Sequence, residues 1–270
     1  MFPDLIRIGS FHIATYGVMA ALGMILGLAV VFRLARLQGL DPDKMWNLGV
    51  LVIFAGIVGS KILYVINEWG YSYHSISDIF SLSTMQAGGV FSGGLVLAII
   101  AAVWYLRRNR IPFLRATDVF APGLALGHAL GRVGCFAAGC CYGRPTSEPW
   151  GVIFTNPKAQ EITGTPLDVR LHPTQLYEMV AELMNFGILY YLATRKKFEG
   201  EIIGLYLFLY GIERFVIEFF RGDSGRGEFF GIMSGTQAIS IGLVILGGIL
   251  WMKRVPLRAP ARLATSNKAG

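Results

Sequence analysis

Arg132 and Arg214 close or interrupt long apolar stretches, where a guanidinium is costly and therefore a functional candidate. Arg214 stands four residues before Glu218, so a helix presents both on one face. Glu178 and Glu182 repeat that spacing in the preceding apolar segment, and Lys61 lies in an earlier one. Two guanidinium groups can hold a phosphodiester through paired, charge-assisted hydrogen bonds. In a low-dielectric site they also stabilise charge that grows on a departing phosphate. Arg132 and Arg214 are accordingly assigned to catalysis and anion binding, Glu218 to the same centre, and Lys61 to binding. Glu182 reads instead as part of an ion-pair network that ties helices together. His128 precedes Arg132 by four residues. It is either a packed, hydrogen-bonded helix residue or a proton acceptor on the same helix face.

The elements that must position these groups are membrane helices. Of 270 residues, 54% are hydrophobic and only 15% charged, against roughly a quarter charged in soluble domains. The formal charge of +7 falls in short basic clusters between apolar runs, which argues topology and excludes nucleic acid as the partner. Apolar runs that suffice for a spanning helix cover Ile13 to Val31, Trp46 to Ile66, Val90 to Leu106, Asp118 to Gly134, Gln175 to Leu192, Ile202 to Phe220 and Gln237 to Met252. The expected fold is an all-α polytopic membrane protein of about seven transmembrane helices. Asp4 and a lone Arg7 give the N-terminus no signal-peptide pattern, so the first run reads as a retained helix. Residues 1–270 read as one integral membrane domain. Residues 135–173 form a small cap between the fourth and fifth spans, with a strand-like piece at Trp150 to Phe154, and residues 256–270 a disordered tail.

The segment from Gly131 to Arg144 packs Gly131, Gly134, Gly139 and Gly143 beside a membrane boundary, which implies close backbone approach or positive φ. By itself that describes a tight turn. Together, Gly131-Arg132, Gly134, Phe136, Gly139 and Gly143-Arg144, then His172-Pro-Thr-Gln-Leu-Tyr-Glu178, then Tyr210-Gly211, Arg214-Phe215 and Glu218-Phe-Phe-Arg221 form an ordered set. His12, Tyr16-Gly17 and Gly88-Gly-Val-Phe-Ser-Gly-Gly-Leu95 extend it toward the start of the chain. In this set the chain resembles the prolipoprotein diacylglyceryl transferase family over nearly its whole length.

The resemblance implies a reaction. That family moves the diacylglyceryl group of phosphatidylglycerol onto the thiol of a lipobox cysteine in a prolipoprotein signal peptide, releasing glycerol phosphate and forming a thioether. The partners implied are phosphatidylglycerol, that signal peptide and membrane lipid, with no metal and no organic cofactor. The implied setting is the bacterial cytoplasmic (inner) membrane, with the cap periplasmic. The matched positions add Tyr16 to the catalytic set and Ser92, Gly139, Gly143 and Tyr210 to the substrate-binding set. The chain departs from the family pattern at Ser92, where the family has His; at Cys135, where it has Asn; at Cys140, where it has Glu; and at Lys61, where Arg is expected. Losing the His leaves the general base open, and His128 is the candidate replacement. Cys135, Cys140 and Cys141 crowd into seven residues. A metal site is disfavoured there, because the spacing is not a usual zinc pattern and adjacent cysteines seldom ligate one ion. They read as residues filling space left by larger polar ones.

The competing functions are an anion or lipid transporter and a catalytically repurposed relative of the transferase. No pair of interrupted helices recurs in the two halves, as transporters often show. Orientation yields the first testable outcome. The loops holding Arg33, Arg36 and Lys44, Arg107 to Arg115, and Arg195 to Lys197, with the tail, carry 15 of the 24 basic residues. The stretch from Asn67 to Gly89 carries none. The positive-inside rule therefore sets the N-terminus outside and the C-terminus in the cytoplasm. A thiol label at Ser77 should react from outside intact cells, and labels at Asn109 or Lys197 only after the membrane is opened. The reverse pattern would overturn the orientation.

Overall fold

A computed structural model describes residues 2–8, 11–69, 89–222, 228–229 and 233–257. Most of the expected outer loop before Gly89, with Ser77, and the tail beyond Leu257 lie outside the described residues. A hairpin of β1 (Asp4–Ile8) and β2 (Phe11–Ala14) opens the chain. Helices follow as α1 (Thr15–Leu37), α2 (Pro42–Glu68), α3 (Phe91–Arg108) and α4 (Phe113–Ala138). The connection after α4 holds β3 (Val152–Ile153), the short α5 (Pro157–Thr163) and β4 (Arg170–Leu171), with β3 antiparallel to β4. Then come α6 (Thr174–Ala193), α7 (Glu201–Glu218), the strands β5 (Glu228–Phe229) and β6 (Met233–Ser234), and α8 (Gly235–Lys253).

Each expected span coincides with a helix, with shifted ends. Ile13 belongs to β2, because the chain pairs back on β1 before α1 begins. Cys135 is still helical, so the connection after α4 begins past Ala138 rather than at 135. Among the described residues, five helices, α1, α2, α3, α4 and α8, are long and apolar enough to cross a membrane. The other two long helices, α6 and α7, carry Glu178 and Glu182, and Glu201, Glu213, Arg214 and Glu218.

The chain divides into two compact units. One is Asp41–Ala116, where α2 lies on α3 with backbones in contact. A Cβ added to Gly59 would stand 2.5 Å from the Gly93 carbonyl oxygen. Asp41 caps α2 by accepting from the amides of Asp43 and Lys44.

The other unit, Met1–Leu40 with Thr117–Gly270, holds α1, most of α4, and α6 to α8. Gly23 and Gly27 of α1 face Gly127 and Gly123 of α4, and a Cβ at Gly27 would lie 2.7 Å from the Gly123 oxygen. Small residues at i, i+4 on both helices allow this approach, and dispersion contacts between the backbones hold it where lipid supplies no hydrophobic drive. Asp118 of α4 is fully buried and fixes the start of α7. Its carboxylate accepts from the amides of Gly200, Ile202 and Ile203 and from Lys196 Nζ, all within 3.0 Å. The N-cap residue of α7 is Gly200, which has no side chain to do this. A neighbouring helix thus satisfies amides that no local residue can.

Candidate functional site

One face of α6 is polar where a membrane helix is ordinarily apolar. Gln175, Glu178, Glu182 and Asn185 recur at helical spacing, and all are buried. Polar groups withdrawn from water need partners, and each of these finds its partner on another segment of the same unit.

Glu178 is fully buried and meets three guanidinium groups. Arg132 of α4 reaches it through Nε. Arg214 of α7 approaches with Nη1 at 3.3 Å, and Arg221 with Nη1 at 3.9 Å. Arg214 turns Nη2 to Glu218 at 3.1 Å, and the Ser234 hydroxyl donates to Glu218 at 2.9 Å. A carboxylate offers roughly four lone-pair sites and each guanidinium five N–H donors. The centre is therefore rich in donors relative to acceptors, the balance that suits an incoming phosphate.

A second chain of contacts runs one turn further along α6. Glu182 Oε1 lies 2.9 Å from His128 Nδ1, and Arg132 Nε donates to His128 Nε2 at 3.1 Å. A carboxylate on Nδ1 fixes the tautomer that leaves the Nε2 lone pair available. Arg132 covers that lone pair. Tyr206 donates to Glu182 at 3.4 Å, and Asn185 donates to Glu213 at 2.9 Å. Tyr210 sets its ring against His128, centroids 5.5 Å apart, and stacks on Tyr206.

The loop after α4 is held to the start of α6. Gln175 Nε2 donates to the Cys140 carbonyl at 2.7 Å and the Thr174 hydroxyl to the Cys141 carbonyl at 2.8 Å. Gly139 turns the chain with φ 87°, and its carbonyl accepts from Thr165. Gly143 sits where three strands of backbone meet: an added Cβ would stand 2.5 Å from the His172 oxygen and 2.7 Å from that of Phe220. Arg144 Nε donates to the Arg221 carbonyl at 3.1 Å. Cys135, Cys140 and Cys141 bring their sulfur atoms within 4.8 Å of one another. Hydrogen bonds with Cys135 and Cys140, aided by the charges of Arg221 and Arg132, pull the Cys141 thiol below its ordinary range. Hydrogen bonds with Cys135 and Cys141 push Cys140 up.

Of the residues singled out in the sequence, Arg132, Arg214, His128, Glu218 and Tyr210 come together in one network. Gly139 and Gly143 shape the adjoining loop. Tyr16 stands in the first turn of α1, packed over Gly134 of α4. Lys61 and Ser92 belong to the Asp41–Ala116 unit, on α2 and in the first turn of α3. Glu182, assigned to an ion-pair network, does pair, but its partner is the candidate base. Arg221, Gln175 and Thr174 were not singled out. The spacing of Gln175, Glu178, Glu182 and Asn185 along one apolar segment was the signal for the α6 face, and Arg221 stands seven residues after Arg214.

Comparison with known proteins places this geometry in a family. The family model "Prolipoprotein diacylglyceryl transferase" matches residues 3–253. A "Phosphatidylglycerol--prolipoprotein diacylglyceryl transferase" of Clostridium tetani is 34% identical over 248 residues, 92% of this chain and 95% of that protein. Proteins of the same name from Finegoldia magna and Vibrio atlanticus are 34% and 33% identical, over 88% and 92% of this chain and 90% and 89% of their own. The chain belongs to the prolipoprotein diacylglyceryl transferase family.

Glu178→Ala should leave Arg132, Arg214 and Arg221 facing one another across a buried gap. Removing one member of a buried ion pair typically costs about 3–5 kcal/mol, which corresponds to a melting midpoint lower by roughly 6–20 °C. Size-exclusion chromatography of detergent-solubilised protein after stepwise heating measures this. Glu178→Gln, which keeps the shape and loses the charge, should fall between. An unchanged midpoint in Glu178→Ala would remove Glu178 from the centre of the network.

Proposed function

We propose that this chain transfers the diacylglyceryl group of phosphatidylglycerol to the lipobox cysteine thiol of prolipoproteins, releasing glycerol phosphate. The observation that carries the reading is the convergence of Arg132, Arg214 and Arg221 on Glu178, beside the pair of His128 and Glu182. Family membership supports it over an anion or lipid transporter.

In the proposed step the thiol sulfur attacks the glyceryl carbon, and the bond from that carbon to the phosphate oxygen breaks. The phosphate leaves with the electron pair, so negative charge grows on its oxygens. Arg132 and Arg214 act on that growing charge, and contacts that strengthen as it grows lower the barrier. The thiol proton goes to His128 Nε2, with Glu182 holding the ring and stabilising the imidazolium. Arg132 covers Nε2 at 3.1 Å before substrate arrives. As the phosphate draws the guanidinium to itself, the lone pair is released. Substrate binding and base activation are then one event. Glu218 steadies Arg214 from the other side. Tyr16, Tyr210, Gly139 and Gly143 are proposed to line the substrate path within the larger unit, and Lys61 and Ser92 are proposed as substrate-binding residues of the other unit.

This reading extends to the frame. α6 and α7 are proposed to complete seven spans with the five apolar helices, their charged residues facing partners instead of lipid. The connection from Gly139 to Pro173 is proposed as the cap that receives the signal peptide on the outer face of the bacterial cytoplasmic membrane.

The test is transfer to a lipobox peptide in vesicles containing phosphatidylglycerol. Arg132→Ala and Arg214→Ala should each lower turnover by about a hundredfold or more, with the protein still in the membrane. His128→Gln should lower it by about a hundredfold to ten-thousandfold with lipid binding little changed, and Ser92→His should restore part of that loss. Near-normal transfer in the double arginine variant would sink the mechanism. A silent His128→Gln would remove His128 as base.

A further inference from the structure

The three thiols at the end of α4 have no role in the step above, yet the fold brings them to one point. Cys135 lies in the last turn of α4, and Cys140 and Cys141 follow the turn at Gly139. Adjacent cysteines in extended chain point to opposite sides and cannot share an ion. Here Cys141 has φ 63°, a conformation that a residue with a Cβ rarely adopts. That reversal, after a first one at Gly139, accompanies sulfur atoms that lie close together instead of diverging. The Thr174 hydroxyl and the Gln175 amide hold the two carbonyls, so the loop does not need ligand to keep its shape. Cys140 Sγ also rests 3.7 Å from the Cys135 carbonyl. The result is three sulfur atoms mutually within 4.8 Å. A tetrahedral zinc ion with sulfur at about 2.3 Å needs its ligands about 3.8 Å apart, a contraction of at most about 1 Å from the separations present.

We propose that Cys135, Cys140 and Cys141 bind one zinc ion and leave its fourth position open. Three thiolates and a divalent cation carry one net negative charge. Arg132 and Arg221 both act electrostatically on Cys141, and so offset it. Three protein ligands and a vacant place is the arrangement of catalytic rather than structural zinc. The chemical class that fits the vacancy is a thiol, and the reaction proposed above has one: the acceptor cysteine. This second part rests on the transferase reading. On ligation the acceptor thiol gives its proton to His128 and becomes a zinc-bound thiolate at neutral pH. Its sulfur attacks the glyceryl carbon, and the carbon–oxygen bond breaks. Glycerol phosphate leaves with the electron pair, and the thioether, a poorer ligand than the thiolate, departs the ion. Ser92 cannot accept a proton as the family's His can, and the zinc lowers the demand on whatever base remains. Two of the three proposed ligands, Cys135 and Cys140, occupy positions where the family pattern has Asn and Glu.

The experiment uses the full chain, purified in detergent without a polyhistidine tag after growth with added zinc. Elemental analysis should find about one zinc per chain. Replacing it with cobalt(II) should give intense sulfur-to-metal absorption in the near ultraviolet. Cys140→Ser and Cys141→Ser should each lose both signals. To separate loss of metal from loss of fold, the double variant Cys135→Asn with Cys140→Glu, which restores the family residues, serves as the folded control and should elute normally without metal. Far less than one zinc per chain, three thiols that titrate freely, or an oxidised pair of thiols with no metal would each overturn the site. Zinc that persists in the double variant would also overturn it. The open position is tested separately: chelator-stripped protein should transfer at least tenfold more slowly, and zinc should restore the rate. Stoichiometric zinc with an unchanged rate after stripping refutes the substrate role and leaves the site. If neither form transfers, the transferase reading fails, and zinc stoichiometry still decides the site.

Discussion

Glu178 has no contact with solvent, and that is the constraint to which the rest of the larger unit answers. An ionised carboxylate withdrawn from water is prohibitively costly unless charge and hydrogen bonds surround it. Arg132, Arg214 and Arg221 supply them from α4, α7 and the segment just past α7. One acid on α6 therefore fixes how three stretches of chain, distant in sequence, must lie. Three cations around one anion also over-compensate it, and Glu218 takes up part of the surplus through Arg214. What is left is a positive site that is already organised before any anion reaches it. Electrostatic preorganisation of this kind costs nothing at the moment of reaction.

The same constraint explains why α6 and α7 miss the apolarity of a simple spanning helix while α1, α2, α3, α4 and α8 have it. Their polar residues are spent inward. The frame around them must then hold without help from an apolar core, since lipid competes with apolar side chains on equal terms. Close backbone approach at Gly23 and Gly27 against Gly127 and Gly123 does this for α1 and α4, and Gly204 against Gly247 does it for α7 and α8. Asp118 adds a polar tie between α4 and the start of α7. Two of the helices that carry site residues are thus joined at one end by this carboxylate and further along by Glu178.

Much of this was legible in the sequence. Apolar run lengths located every long helix among the described residues, and charged residues within them named Arg132, Arg214 and Glu218. The i, i+4 spacing of His128 and Arg132 survives as a hydrogen bond between their side chains. What spacing along one helix cannot reveal is which residues on other helices meet it. Glu182 looked structural because its partner was out of view, and that partner is His128. Arg221 stands in the matched block Glu218-Phe-Phe-Arg221 but carries no role there, because it follows the last turn of α7 and its partner Glu178 lies on another helix. The hairpin at Ile13 was hidden by its own apolarity, since a short strand and a helix entrance look alike in composition.

The cysteines are the sharpest case of that limit. Their spacing argued against shared ligation, since adjacent cysteines seldom ligate one ion and neighbouring side chains in ordinary backbone diverge. The premise holds for ordinary backbone and fails at Cys141, whose left-handed conformation no sequence pattern announces. That conformation costs energy, and the protein retains it because carbonyl contacts from Thr174 and Gln175 fix the loop on both sides. Those two residues begin the helix that carries Glu178. The strained loop and the buried acid are therefore set by the same four-residue stretch, Thr174 to Tyr177, and the acid that follows it. A change that displaced this stretch would move the thiols and the arginines together. The physical coupling between the sulfur cluster and the arginines around Glu178 is thus built into the start of α6.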